Sequence, residues 1–302
     1  MSVYFTREIH LLVEIFNVIA PVFCCALIGY IWGRSKADYP TDFVSEMVFK
    51  IAAPCLIVSS IGQVALSADA FWEMAIATLM VLLLISFISI VIIKLLAHDW
   101  RIFYVSMAFP NVGNLGLPLS LFAFGEEGLA LAVAYFMVIS IAHFSLGMAV
   151  ATGEPLKLST FASNPIMWSI LIAVILVSGS YSLPNWVVSS VGLIGNMTIP
   201  LMLITLGVSL ASIKVSQWHK GALYSFLRIG LGGAVAFFVA ELLGLEGAAK
   251  GVLILQGIMP VAVFNYLFAI KSGKNVEVIA SMVMISTLLV MLILPIVLYG
   301  LI

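Results

Sequence analysis

Residues 109–118 read Phe-Pro-Asn-Val-Gly-Asn-Leu-Gly-Leu-Pro, with two prolines, two glycines and two asparagines in ten positions. No continuous helix accommodates that run. Proline removes a backbone donor and clashes with the preceding turn, glycine is a poor helix former, and asparagine competes for backbone hydrogen bonds. Yet the surrounding segment is apolar and long enough to cross a bilayer. Unpaired backbone in hydrocarbon costs several kcal/mol per group, so a broken helix at membrane depth persists only where protein buries it or where it lines a wet cavity. The break is therefore a candidate site.

The rest of the chain supports a membrane setting. Of 302 residues, 63% are hydrophobic and 9% charged, against roughly a quarter charged in soluble domains. A polytopic membrane protein is predicted. A net charge of −1 without basic clusters excludes the Lys/Arg-rich face that nucleic acid requires. Cys24, Cys25 and Cys55 fall in apolar segments and read as small hydrophobes, not as a disulfide framework or metal site. Arg7, Glu8 and Glu14 sit where a signal peptide would carry its basic and apolar regions, so the first helix is expected to be retained.

A helix needs about 20 apolar residues to cross the hydrocarbon. That window predicts an all-α protein of ten transmembrane helices, near 9–33, 43–66, 70–97, 101–124, 127–151, 165–181, 184–212, 220–243, 247–270 and 276–301. With the N-terminus outside, the inner loops and helix ends hold Arg34, Lys36, Lys50, Lys94, Arg101, Lys157, Lys214, Lys220, Lys271 and Lys274, and the outer side holds only Arg7 and Lys250. The excess of basic residues on one side predicts both termini outside.

The chain also repeats itself. Met197-Thr198-Ile199-Pro200-Leu201 in span 7 parallels Ala52-Ala53-Pro54-Cys55-Leu56 in span 2, and each run is followed by a hydroxyl, Thr205 or Ser59. Span 9 has its own break at Gln256-Gly257-Ile258-Met259-Pro260, with Asn265 just beyond. Residues 1–151 and 165–302 thus read as two five-helix copies joined by a short linker, 152–164. An odd number of spans per copy inverts the second against the first, the inverted repeat of secondary transporters. Spans 4 and 9 are expected to cross at Pro110 and Pro260.

At such a crossing each broken helix presents the N-terminus of its second half, with free amides and a partial positive charge. An anion is the natural ligand. Asn111, Asn114, Asn265 and Gln256 are expected to orient it, while Pro110, Pro118 and Pro260 hold the helices open.

The motifs Pro110-Asn111, Gly116-Leu117-Pro118-Leu119, Gln256-Gly257-Ile258-Met259-Pro260 and Asn164-Pro165 make the chain similar to the auxin efflux carrier family in its short bacterial form. The resemblance runs over all ten spans. It implies a scaffold of spans 1, 2, 6 and 7, a moving unit of spans 3–5 and 8–10, and elevator-like transport of small carboxylates such as malate, malonate or indole-type acids. It further implies a homodimer in a bacterial inner membrane, and it favours Ser59 as a hydroxyl on the substrate path. The long cytoplasmic loop of plant members has no counterpart here.

Two further residues stand open. Arg228, inside span 8, either acts on an anion or snorkels to the headgroups. His143, inside span 5, either relays a proton or is a neutral histidine bonded to a neighbouring helix. No nucleotide-binding motif is present, so an ion gradient or the membrane potential must drive transport, and no cofactor is expected beyond a proton or sodium ion. The competing readings are an intramembrane enzyme, for which paired aspartates, a zinc set and an activated serine are all missing, and a transporter-like sensor, for which no signalling domain is appended.

Overall fold

The computed structural model describes residues 2–35, 37–63, 66–98, 100–155, 162–179, 181–273 and 275–302. Lys36, Lys157 and Lys274 of the charge count, and residues 156–161 of the expected linker, lie outside them. The described chain is helical, and its single extended pairing is an isolated antiparallel bridge between Pro110 and Val261.

Among the described residues, seven helical stretches are long and apolar enough to span a membrane: Leu12–Arg34, Thr41–Gly62, Ala68–Leu95, Val112–Thr152, Asn185–Ser212, Trp218–Leu243 and Val276–Leu301. The fourth runs 41 residues, about twice what a bilayer needs. It is kinked at Gly125, whose φ of 64° lies in the left-handed region that only glycine enters at low cost. The exterior suits lipid: Leu95, Leu193 and Ile296 are each at least 75% exposed, as only an apolar solvent tolerates on this scale.

Helix α1 (Ser2–Arg34) is followed by α2 (Thr41–Met47), which runs through a π-helical turn, Val48–Ala52, into α3 (Ala53–Gln63). α4 (Ala68–Leu95) starts on Ser67, whose hydroxyl accepts from the Ala70 amide at 3.1 Å, a helix cap worth about 1 kcal/mol. α5 (Trp100–Ala108) stops two residues before Pro110, and a π-helical turn, Val112–Gly116, leads into α6 (Leu117–Ala142). A third π-turn, His143–Gly147, joins α6 to α7 (Met148–Thr152).

In the second half, Asn164 caps α8 (Pro165–Ser178) by accepting from the Ile166 amide at 3.0 Å, and Pro165 occupies the first helical position, where its missing amide costs nothing. At 14 residues, α8 is shorter than the expected 165–181. The expected span 184–212 is two helices, α9 (Asn185–Gly195) and α10 (Thr198–Ser212). After α11 (Trp218–Leu243), the expected span 247–270 is α12 (Gly247–Gly257) and α13 (Val263–Ser272), and α14 (Val276–Leu301) closes the chain.

Packing falls into two groups. α1 lies along α10, and α3 lies against α8 and α9; α4, α5 and α6 pack with α11 and α12, and α11 with α14. The α1–α10 contact is close enough to involve backbone. A Cβ on Gly207 would collide with the Ala26 carbonyl, and one on Gly29 with that of Ile204. Small residues at such contacts let helices approach where lipid offers no hydrophobic drive.

Candidate functional site

The two interrupted helices meet at their interruptions. The Asn111 amide donates to the Pro260 carbonyl at 2.7 Å, and Pro110 faces Val261 in the antiparallel bridge. The Val261 amide donates to Ser286 Oγ of α14 at 3.0 Å. Prolines at 110 and 260 have no amide to satisfy, so these bonds serve the donors beside them.

The loose helix ends find side-chain partners. Asn265 Nδ2 donates to the carbonyls of Val105 and Phe109 at 3.3 and 3.1 Å, at the end of α5, where the Val105 carbonyl also accepts from the Phe109 amide at 3.0 Å. Arg228 Nη2 donates to the Gly257 carbonyl at 3.1 Å, at the end of α12. A guanidinium at a helix C-terminus also meets the negative end of its dipole. Arg228 is 0% exposed, so the snorkelling alternative does not hold. The side chain points inward because α11 passes over the end of α12 with Gly232 against Gly257, leaving space where a Cβ on Gly232 would meet the guanidinium. Its Nε and Nη1 have no hydrogen-bond partner among the described residues.

The N-terminal ends of the second halves face a small cavity of 30 Å³, room for about two water-sized groups. Asn111, Gly113 and Asn114 line it from one helix, Ala262 and Phe264 from the other, and Ser140 and His143 from the end of the α6 segment. Asn111 Oδ1 caps its own turn by accepting from the Asn114 amide at 3.3 Å. Its Nδ2, on a residue 4% exposed, has no partner among the described residues. α13 starts on Ala262 with no side-chain cap, and the Asn265 amide donates to the Ala262 carbonyl at 3.0 Å.

His143 Nε2 lies 2.7 Å from Asn265 Oδ1. The imidazole is stacked on Phe109, with ring centroids 4.6 Å apart and planes 5° apart. Beyond Asn265 lies a second cavity of 410 Å³, lined by Trp100, Arg101, Val105, Ser106, Ser272 and Asn275 among others. The Ser106 hydroxyl is buried there without a partner. Asn265 and His143 thus stand between a vestibule and the crossing.

The structure brings Pro110, Asn111, Asn114, Pro260, Asn265 and His143 together. Gln256 lies behind them, its amide filling the space a Gly116 side chain would occupy and donating to Ser120 Oγ at 3.3 Å. Ser59 turns back to the Leu56 carbonyl at 3.1 Å, a self-bond common for serine in membrane helices. Thr205 binds the Tyr39 hydroxyl at 2.7 Å. Pro118 is buried at the start of α6. Phe49, Ser140, Met202 and Phe264, which also line the cavity, were not singled out from sequence. Only Ser140 had a legible signal, since it lies three residues before His143 and so on the same helix face.

The profile of the family described as membrane transport protein matches residues 14–160 and 155–298. The chain belongs to that family. It is the family of the auxin efflux carriers, as the sequence motifs indicate. Among relatives, the family includes an uncharacterized transporter of Methanocaldococcus jannaschii, 27% identical over 293 residues, covering 90% of this chain and 94% of that one. An uncharacterized transporter of Methanothermobacter thermautotrophicus is 26% identical over 298 residues, covering 92% and 96%. Family and relatives are membrane transporters and not enzymes.

Proposed function

We propose that this transporter carries a small organic anion, a carboxylate, bound at the crossing of its two interrupted helices. The observation that carries the reading is Asn111 Nδ2, a buried donor without a partner that faces a small cavity between two helix N-termini. A neutral amide beside positive dipole ends favours an anion and leaves no cation to desolvate when the site empties. Asn111 and Asn114 are assigned as direct ligands. Asn265 joins them when its Nδ2 bonds to the α5 carbonyls exchange for bonds to substrate, and Arg228 adds a fixed positive field from behind.

In this reading the chain crosses the membrane ten times, with spans 4 and 9 interrupted and both termini outside. The two packing groups support a scaffold of spans 1, 2, 6 and 7 and a moving unit of spans 3–5 and 8–10, which slides to expose the site alternately. The vestibule between α5 and α13, with Arg101 and Trp100 at its lining, is the cytoplasmic approach. A homodimer through the scaffold completes the assignment.

Uptake of labelled malate, malonate and indole-3-acetate into proteoliposomes, with proton, sodium and potential gradients imposed one at a time, tests the proposal. Accumulation of at least one acid by the wild type, and its loss in Asn111→Ala, is expected. No transport of any of the three would sink the reading.

A further inference from the structure

The orientation of Asn265 settles which atom of His143 is in use. Both acceptors at Asn265 Nδ2 are backbone carbonyls, Val105 O and Phe109 O, so that atom is the amide nitrogen and the carbonyl Oδ1 faces the imidazole. A carbonyl oxygen requires a donor. His143 Nε2, 2.7 Å away, therefore carries the ring proton, and Nδ1 holds the lone pair. Nδ1 makes no hydrogen bond among the described residues, and His143 lines the crossing cavity.

Among the described residues no ionisable group is recorded against that ring. Phe109 is stacked on it, Phe264 and Phe268 present their edges from α13, Phe144 lies beside it on its own helix, and Gly147 packs close on its Cδ2 side, where a Cβ would collide with the ring. Of the titratable groups on these elements, Asp42, Glu46, Lys50, Arg101, Glu126 and Glu127 are exposed, with Lys50 paired to Glu46; the Tyr104 hydroxyl bonds Ser86, Tyr135 lies near Arg228, Tyr266 is half-buried, and the Lys271 side chain lies outside the described residues. A proton added at Nδ1 thus creates a buried cation whose natural counter-charge is an anion in the adjoining cavity.

We propose that His143 is the proton site of this transporter: Nδ1 takes up one proton as the carboxylate enters the crossing cavity, and the resulting N–H donates to the carboxylate. This rests on the crossing being the carboxylate site. One N–H bond forms per anion bound and breaks on its release, so the anion and the proton travel together; the pair adds no net charge for a monocarboxylate and one negative charge for a dicarboxylate such as malate. Nε2 keeps its bond to Asn265 throughout, so protonation adds a donor without dismantling the site. Proton and anion each raise the other's affinity by the same factor, because linkage is reciprocal.

The test uses the full-length purified protein, with malate as probe between pH 6.5 and 8.5, where it is fully ionised, and with malonate and indole-3-acetate as alternates. Wild-type affinity should weaken about tenfold per pH unit once His143 is neutral in the free protein, with uptake of one proton per anion. His143→Gln keeps an N–H donor for Asn265 but has no titrating nitrogen. It should bind with a pH-independent constant and take up no proton. Proton uptake persisting in H143Q, or a wild type that binds the anion with no pH dependence, overturns the assignment. If H143Q fails to fold as a monodisperse species, the wild-type slope decides alone. Binding of none of the three acids by the wild type overturns the carboxylate site itself, and the proton site with it.

Discussion

Arg228 Nη2 donates to the carbonyl of Gly257 at 3.1 Å, which places a guanidinium at the last turn of α12, beside the crossing with α5. Replacing it sets two terms against each other. Removing the charge relieves desolvation, while the Gly257 carbonyl loses a partner, at about 1–3 kcal/mol. Arg228→Met is therefore expected to fold, with a melting temperature in detergent within a few degrees of wild type. Its carboxylate affinity should fall about tenfold, the effect of one unit charge about 10 Å away at an effective dielectric of about 20. A melting temperature reduced in parallel with affinity would make Arg228 structural only.

Asn111 holds two roles on separate atoms, and substitution separates them. Oδ1 caps the turn by accepting from the Asn114 amide, whereas Nδ2 has no protein partner. Asn111→Asp retains the acceptor and puts negative charge where the donor was. It should keep its thermal stability to within about 1 kcal/mol and lose uptake by at least about a hundredfold, as expected for a like charge facing the anion. Asn111→Ala should lose both. Uptake by Asn111→Asp near the wild-type level would remove Asn111 from the ligand set.

Gly207, in the α1–α10 contact, and Gly230, on the exposed face of α11, predict a contrast in stability. Alanine at Gly207 must displace the Ala26 carbonyl, so Gly207→Ala should cost about 2–4 kcal/mol, read as a lowered melting temperature. A Cβ at Gly230 meets nothing within 4 Å. Gly230→Ala should be neutral or stabilising by up to about 1 kcal/mol, since alanine is the better helix former. Equal effects at the two positions would mean that the α1–α10 approach is looser than described.

Phe49 and Phe264 touch edge to face, with centroids 4.6 Å apart. Phe49 belongs to the second span and Phe264 to the ninth, one on each side of the proposed sliding boundary. A Phe49→Cys, Phe264→Cys pair joined by a short bifunctional thiol reagent, in a background lacking Cys24, Cys25 and Cys55, should stop uptake, and a cleavable linker should restore it on reduction. Full transport with the pair joined would argue against relative movement of the two groups.

How far the sequence carries depends on which kind of signal is involved. The interruption at 109–118 is legible because Pro, Gly and Asn each oppose a helix locally, and the Pro260 counterpart is found the same way. Gly125 reads correctly as a turn for the same reason. What sequence does not disclose is which way an amide faces. Asn265 looks as free as Asn111, yet its side chain is engaged by two carbonyls and a histidine, partners set by the packing of α5 against α13. Arg228 is similar: a guanidinium at that depth is compatible with either direction, and the Gly232–Gly257 approach decides. The π-turns at Val48–Ala52 and His143–Gly147 have no local signature at all. They follow from how long helices are packed, and the second of them sets the register of His143.

The partner that closes the end of α5 is made late. Asn265 and Phe109 are 156 residues apart, and the Asn111 amide waits for Pro260 in the same way. When this segment is first made, two of its backbone groups, the Phe109 carbonyl and the Asn111 amide, still lack the partners they have in the finished protein, each at several kcal/mol in hydrocarbon. The first half of the chain therefore cannot settle by itself into the form it has in the finished protein. During synthesis span 4 must stay at the interface, in the insertion machinery or hydrated until span 9 arrives, so the order of assembly is fixed by the same bonds that shape the site.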